Sequence, residues 1–230
     1  MTPVTIRRIG LTRRITTTVN LSTGVASLPA TQLWHPDDLA FISGYGEGFR
    51  EQALANPNSY RSRLKPFLFL SPLSALSYEN PLAVLAGTLR LVAEEYFGEP
   101  AVWFSASCWL TLPTTAAPVW SQNWHRDPEA SSVLKVFLHL NDVDETNGPL
   151  QYVLHSSKGR DVGLCLPRQY AKTEMPAARV STLRVPKHTV VFADTGGIHR
   201  GGRVQQGYRL QAVWGFVPAS QSDRVKPIQL

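Results

Sequence analysis

Two histidines and one aspartate carry most of the chemistry legible in this chain. His125 and Asp127 stand in the run Trp124-His125-Arg126-Asp127, and His199 follows Gly196-Gly197-Ile198. The spacing His-x-Asp…His lets two imidazoles and a carboxylate take one face of an octahedral metal and leave the opposite face open, as non-heme Fe(II) sites do. On an extended segment, residues two apart leave from the same face. His125 and Asp127 can therefore act together, with the third ligand brought in by a strand remote in sequence. Imidazole and carboxylate suit iron, and no thiolate stands in the set to favour zinc. Ten residues past His199, Arg209 offers a rigid fork of donors suited to gripping a carboxylate at two points.

The elements that must position these groups follow from periodicity. Leu39, Ile42, Tyr45 and Phe49 have helical spacing over Asp37–Ala55, with Pro57 closing the segment. A stronger helix is expected over Pro81–Phe97, with Asn80 as N-cap, Pro81 in the first turn and Gly98 as terminator. Its apolar stripe is Leu82, Leu85, Leu89, Val92 and Tyr96.

From Val102 the pattern changes to short alternating runs broken by Gly and Pro, which signals strands. In 103–110, Phe104, Ala106, Cys108 and Leu110 share one face, opposite Trp103, Ser105, Ser107 and Trp109. In 133–140, Leu134, Val136, Leu138 and Leu140 oppose Val133, Lys135, Phe137 and His139. In 208–216, Leu210, Ala212, Trp214 and Phe216 oppose Arg209, Gln211 and Val213. A further strand spans 189–194, and 141–149 is a turn. Each strand has one apolar face for covering helices and one that mixes polar groups with bulk. We therefore expect a mainly β domain with supporting helices: a double-stranded β-helix (jelly roll, cupin-like) over 101–218, preceded by a mixed region over 1–100.

At 230 residues, 43% hydrophobic and 17% charged, the chain suits one soluble domain. No apolar run is long enough to cross a bilayer, and no signal peptide is expected. The start, with Arg7, Arg8, Arg13 and Arg14, resembles a transit peptide in composition, but its alternation favours an edge strand. Two cysteines, Cys108 and Cys165, make no disulfide scaffold and fit a reducing, cytoplasmic setting. The net charge is +6 and uneven. Between His155 and His188 stand Lys158, Arg160, Arg168, Lys172, Arg179, Arg184 and Lys187 against only Asp161 and Glu174. That stretch, about 155–188, reads either as a solvated loop or as a lid attracting an anionic ligand. Aromatics do not interleave with the basic residues, so no nucleic-acid partner is expected.

Four segments together are similar to the phytanoyl-CoA dioxygenase family of Fe(II)/2-oxoglutarate oxygenases. They are WHRD, VLKVFLHLNDVDETNGPLQYV, TVVFADTGGIHRGG and YRLQAVWGF, and they cover roughly residues 100–218 in the family's order. The resemblance implies a double-stranded β-helix in which His125, Asp127 and His199 bind Fe(II) and act in catalysis. It also implies that Arg209 holds the distal carboxylate of 2-oxoglutarate. The expected reaction uses O2, converts 2-oxoglutarate to succinate and CO2, and hydroxylates, desaturates or cyclises at a C–H bond of a small metabolite or natural-product intermediate. Related halogenases replace the carboxylate ligand with a small residue, so Asp127 implies no halogenation. The family's "GSH"-like stretch is replaced here by His155-Ser156-Ser157.

Inward-facing polar residues on neighbouring strands are candidates for the rest of the pocket. Ser107, with Ser105, and Lys135 are candidates for the other end of 2-oxoglutarate, although a lysine can also snorkel to water. Asn123, on the face of His125, together with Gln211 and Trp109, is expected to line the substrate side. Trp103 and Trp109 either form an apolar wall or belong to the core, while Gln122, Trp124 and Arg126 should point away. The glycines around His199 either let the backbone approach the metal and turn sharply or are ordinary hairpin glycines. Two other readings stay open: a zinc or manganese hydrolase or isomerase on the same ligands, and a catalytically silent jelly-roll binding protein.

Overall fold

The computed structural model describes residues 4–9, 14–63, 65–72, 77–157 and 175–228. It opens with β1 (Val4–Ile9) and β2 (Arg14–Val19), which pair antiparallel in a two-stranded sheet of their own. The Arg-rich start is thus strand, but it does not edge the main sheet.

Helix α1 (Pro36–Ala55) starts where a capping box and proline coincide: the His35 side chain accepts from Asp37 N, and Asp38 accepts from His35 N. Asn56 and Pro57 end it, and the short α2 (Pro57–Tyr60) follows. Helix α3 (Pro81–Phe97) has the expected bounds. Asn80 Oδ1 accepts from Leu82 N at 2.9 Å, and Gly98 closes it at φ 71°, where a side chain would be strained. Its buried stripe includes Leu82, Leu85, Leu89 and Val92.

Six strands form the main sheet, in the order β3 (Val25–Pro29), β9 (Thr189–Asp194), β6 (Leu134–His139), β11 (Arg209–Pro218), β5 (Ala101–Thr111) and β4 (Leu68–Leu70). Every neighbour is antiparallel. The second sheet has the order β10 (His199–Gly201), β7 (Leu150–Val153) and β8 (Val180–Leu183). These two sheets are the double-stranded β-helix.

The face of the main sheet that meets α1 and α3 carries Leu134, Val136, Leu138, Leu210, Ala212, Trp214, Ala106, Cys108 and Leu110, all in the largest core. Each large side chain among them contributes roughly 1.5–3 kcal/mol by leaving water. The opposite face brings Phe137, Val191, Ala193 and Val213 against Tyr152 of the second sheet. Alternation therefore assigns the faces correctly over β6 and β11.

It fails at one place on β5. A bulge between Gly215 and Phe216 pairs Gly215 with Ser105 and Phe216 with Trp103, so Phe104 is skipped. Trp103 consequently packs against the main core, and Phe104 packs with Ala130, Val133 and Val217. Of the two roles open to it, Trp103 thus takes the core one, while Trp109 packs on the opposite face beside Phe137. Among the described residues, no helix is long and apolar enough to cross a membrane.

Candidate metal centre

His125 and His199 meet because two backbone segments pair. His125 N donates to His199 O at 2.9 Å, and His199 N returns the bond to His125 O at 3.0 Å. Asp127 N then donates to Thr195 O at 2.9 Å, so the His-x-Asp segment runs beside the approach to β10. Arg126, between the two ligands, points the other way: one guanidinium nitrogen donates to Ser156 O at 2.7 Å and Gly196 O at 2.6 Å. The expectation that Arg126 leaves the cavity holds, and its use is to tie these loops together.

The imidazoles are oriented in the same manner. His125 Nδ1 lies 2.9 Å from Asn123 O, and His199 Nδ1 lies 3.0 Å from Gly197 O. A carbonyl only accepts, so each Nδ1 carries the hydrogen and each Nε2 keeps its lone pair. Those lone pairs converge on the carboxylate: His125 Nε2 is 3.6 Å from Asp127 Oδ1, and His199 Nε2 is 3.8 Å from Asp127 Oδ2. The ligand atoms of all three lie within 4.8 Å of one another, and all three residues are buried. This is a donor set that one metal ion can satisfy, with the outer-shell carbonyls that metal-bound histidines ordinarily have.

Burial works to raise the Asp127 pKa, but Lys135 and the two histidines outweigh it and hold the carboxylate well below its usual range. Lys135 Nζ lies 2.7 Å from Asp127 Oδ2. Burial opposes the Lys135 charge, and Asp127 and Glu129 more than restore it. Burial above all lowers His199 to about 3, which keeps it a neutral donor.

The approach to His199 is held by Asp194. Its Oδ1 accepts from Val133 N and Gly196 N, each at 3.0 Å, and its Oδ2 accepts from Tyr96 and Ser132 hydroxyls, each at 2.8 Å. Burial still raises its pKa. The glycines near His199 have close neighbours where a side chain would stand. A side chain at Gly197 would strike the Tyr152 ring, one at Gly202 would strike the Gly148 turn, and one at Gly201 would sit 3.5 Å from the Arg209 guanidinium.

A cavity of about 100 Å³ joins the triad to Arg209. Lys135, Gln211 and Trp109, all singled out from the sequence, line it. Ser107 does not: it stands beside the β4 end of the sheet, and its hydroxyl donates to Ser71 O at 3.0 Å. Nor does Asn123, whose side chain donates to Pro118 O at 3.4 Å while only its carbonyl serves His125. Instead Gln122, expected to point away, lines the cavity, because a tight turn over Trp120–Gln122 interrupts the period-two alternation. Trp124 is buried outside it, beneath the Arg200 guanidinium.

Sequence reasoning also missed Lys65, Thr111 and His139 as lining residues. Lys65 lies on a stretch without periodicity. His139 was legible as inward-facing but carried no motif. Of the basic stretch, Lys158, Arg160, Arg168 and Lys172, like Cys165, lie outside the described residues.

Arg209 is buried, and among the described residues no carboxylate pairs with it. One guanidinium nitrogen donates to Gly202 O at 3.3 Å and Asn147 O at 3.4 Å, while Nε has no hydrogen-bond partner among the described residues. Burial lowers its pKa to about 10, leaving it cationic. A buried cation on the wall of a cavity, with no carboxylate partner among the described residues, is a seat for an anion.

The sequence matches no family model, and no curated protein matches it significantly. Solved structures do resemble it. The epimerase SnoN, in complex with Fe3+, alpha ketoglutarate and nogalamycin RO, is 15% identical over 91% of this chain and 92% of its own, with a TM-score of 0.63. HygX from Streptomyces hygroscopicus, with nickel, 2-oxoglutarate and hygromycin B bound, is 17% identical over 86% of this chain and 84% of its own, at 0.57. EctD from S. alaskensis, with bound Fe, is 17% identical over 90% of this chain and 76% of its own, at 0.61. At these identities the likeness establishes a shared fold.

Proposed function

We propose that this chain is an Fe(II)- and 2-oxoglutarate-dependent oxygenase acting on a C–H bond of a small organic molecule. The observation that carries the reading is one cavity shared by a convergent His-Asp-His set and a buried Arg209 with an unused donor. The fold relatives SnoN, with Fe3+ and alpha ketoglutarate, HygX, with nickel and 2-oxoglutarate, and EctD, with Fe, lend support, as does the motif run similar to the phytanoyl-CoA dioxygenase family.

In this reading His125, Asp127 and His199 would hold the metal, as a two-histidine, one-carboxylate set suits Fe(II). Bound Fe(II), with 2-oxoglutarate and O2, would supply the oxidising power, leaving succinate and CO2 as coproducts. Arg209 grips the distal carboxylate and orients the cosubstrate. Phe137 and Trp109, packed edge to face with centroids 6.3 Å apart, keep water from that wall. Lys135 holds Asp127 ionised and turned toward the two imidazoles. Gln122, Gln211 and Lys65 present donors to whatever occupies the remaining space, and Lys65 favours an anionic group there. Hydroxylation is the default outcome, and a small metabolite or natural-product intermediate is the substrate class; the fold relatives SnoN and HygX bind nogalamycin RO and hygromycin B. One domain over 1–230 and a cytoplasmic setting complete the reading.

The test is anaerobic visible spectroscopy of metal-free protein titrated with Fe(II) and then 2-oxoglutarate. A broad charge-transfer band, absent in His199→Ala and weakened in Arg209→Ala, is expected. Bound iron without any such band would remove 2-oxoglutarate and bring the hydrolase, isomerase or silent-binder alternatives forward.

A further inference from the structure

His139 is a buried titratable group on the cavity wall with no role so far. It ends β6, is 2% exposed, and neither ring nitrogen has a hydrogen-bond partner among the described residues. An unpartnered buried polar atom costs roughly 1–3 kcal/mol, so two on one ring call for a ligand.

Strand register shows what kind of ligand. His139 stands directly opposite Gln211 across β6 and β11, and Arg209 is two residues earlier on the same face of β11. His139 and Arg209 line the same cavity. Along β6, the inner face runs from Lys135, at the Asp127 carboxylate, through Phe137 to His139. Four residues of strand span about 13 Å. One strand therefore lays out an axis with the metal ligands at one end and the Arg209 seat at the other.

We infer that His139 is the second donor of the Arg209 anion seat: one ring N–H hydrogen-bonds the carboxylate that the guanidinium holds. The inference rests on the oxygenase reading and adds to it a cosubstrate-binding residue with no motif. Burial and the neighbouring Arg209 charge keep the imidazole neutral, with a pKa of about 3, so it brings a donor without a second full charge. A neutral donor beside a buried cation suits a single carboxylate.

The test is calorimetric titration of the Ni(II)-loaded protein with 2-oxoglutarate and with 2-oxopentanoate, which has a methyl group in place of the distal carboxylate. His139→Leu should weaken 2-oxoglutarate roughly 10- to 100-fold, the worth of a hydrogen bond to a charged group. His139→Gln, which keeps a donor, should stay within about threefold, since the donor and not the ring is what is used. For 2-oxopentanoate, wild type and both variants should bind equally weakly. An unchanged 2-oxoglutarate affinity in His139→Leu, or an equal loss for both ligands, would overturn the role of His139 alone. Failure of wild type to bind 2-oxoglutarate would overturn the oxygenase reading and this inference together.

A second readout does not depend on the leucine variant folding. The ring 15N–H signals of Zn(II)-loaded wild type, assigned by their loss in His139→Gln, should shift when 2-oxoglutarate binds. No shift at saturation would also overturn the role.

Discussion

The ammonium of Lys135 lies 2.7 Å from Asp127 Oδ2, so the triad's carboxylate has a cationic partner inside the protein. The two side chains are only 15% and 10% exposed, which puts the pair in the regime where removing one partner is expensive. Lys135→Met should destabilise the metal-free protein by about 3 kcal/mol. A divalent cation replaces the missing charge, so the rise in Tm on adding Ni(II) should be larger in the variant than in wild type. A smaller rise would mean that the ammonium is needed chiefly to hold the carboxylate in its ligating pose.

Arg126 supports the metal ligands without touching them. Its guanidinium joins Ser156 O and Gly196 O, on the two loops that flank the triad. Arg126→Met should cost about 2 kcal/mol of stability. It should also weaken metal binding about tenfold, as loss of outer-shell support does. Competition with a chelator measures the second effect. Wild-type metal affinity in this variant would show that the reciprocal His125–His199 backbone pairing suffices by itself.

Protonation of His139 sets a pH dependence of stability. Burial, and then the Arg209 charge, lower its folded pKa to about 3, against about 6.5 in an unfolded chain. Between those values the unfolded state binds the extra proton. Its contribution to stability is therefore complete above about pH 6.5 and shrinks as pH falls toward 3. The slope approaches 1.4 kcal/mol per pH unit, roughly, once the unfolded imidazole is protonated. Denaturant unfolding of wild type and His139→Leu should show their stability difference changing by about that slope below about pH 5.5. A pH-independent difference would mean that the folded imidazole titrates normally.

Asp194 organises the segment that delivers His199. Replacing it with alanine strands the Val133 and Gly196 amides together with the Tyr96 and Ser132 hydroxyls. Asp194→Ala should lose at least about 2 kcal/mol of stability. Asp194→Asn, which keeps an acceptor for the two amides, should lose less. Equal losses in the two variants would show that the charge, and not the acceptor geometry, is what matters.

What was readable in the chain was what short-range covalent spacing controls. The bounds of α3 follow from Asn80, Pro81 and Gly98, and the faces of β6 and β11 follow from period-two alternation. His125 and Asp127 are two residues apart, so their joint projection is a local property. Arg209 was legible for the same reason, as a lone cation on the inward face of an apolar strand.

Tertiary structure decided what depends on how distant segments register. The bulge opposite Gly215 sends Trp103 and Phe104 to faces that alternation reverses. The turn over Trp120–Gln122 puts Gln122 in the cavity where Asn123 was expected. Ser107 is claimed by Ser71, a partner 36 residues away that no local pattern reveals. Lys135 becomes the partner of Asp127, and His139 the neighbour of Arg209, only when β6 lies between β9 and β11. Side-chain direction is a property of a few consecutive residues. Which groups share a buried volume is a property of strand pairing, and pairing is set by the whole hydrophobic core.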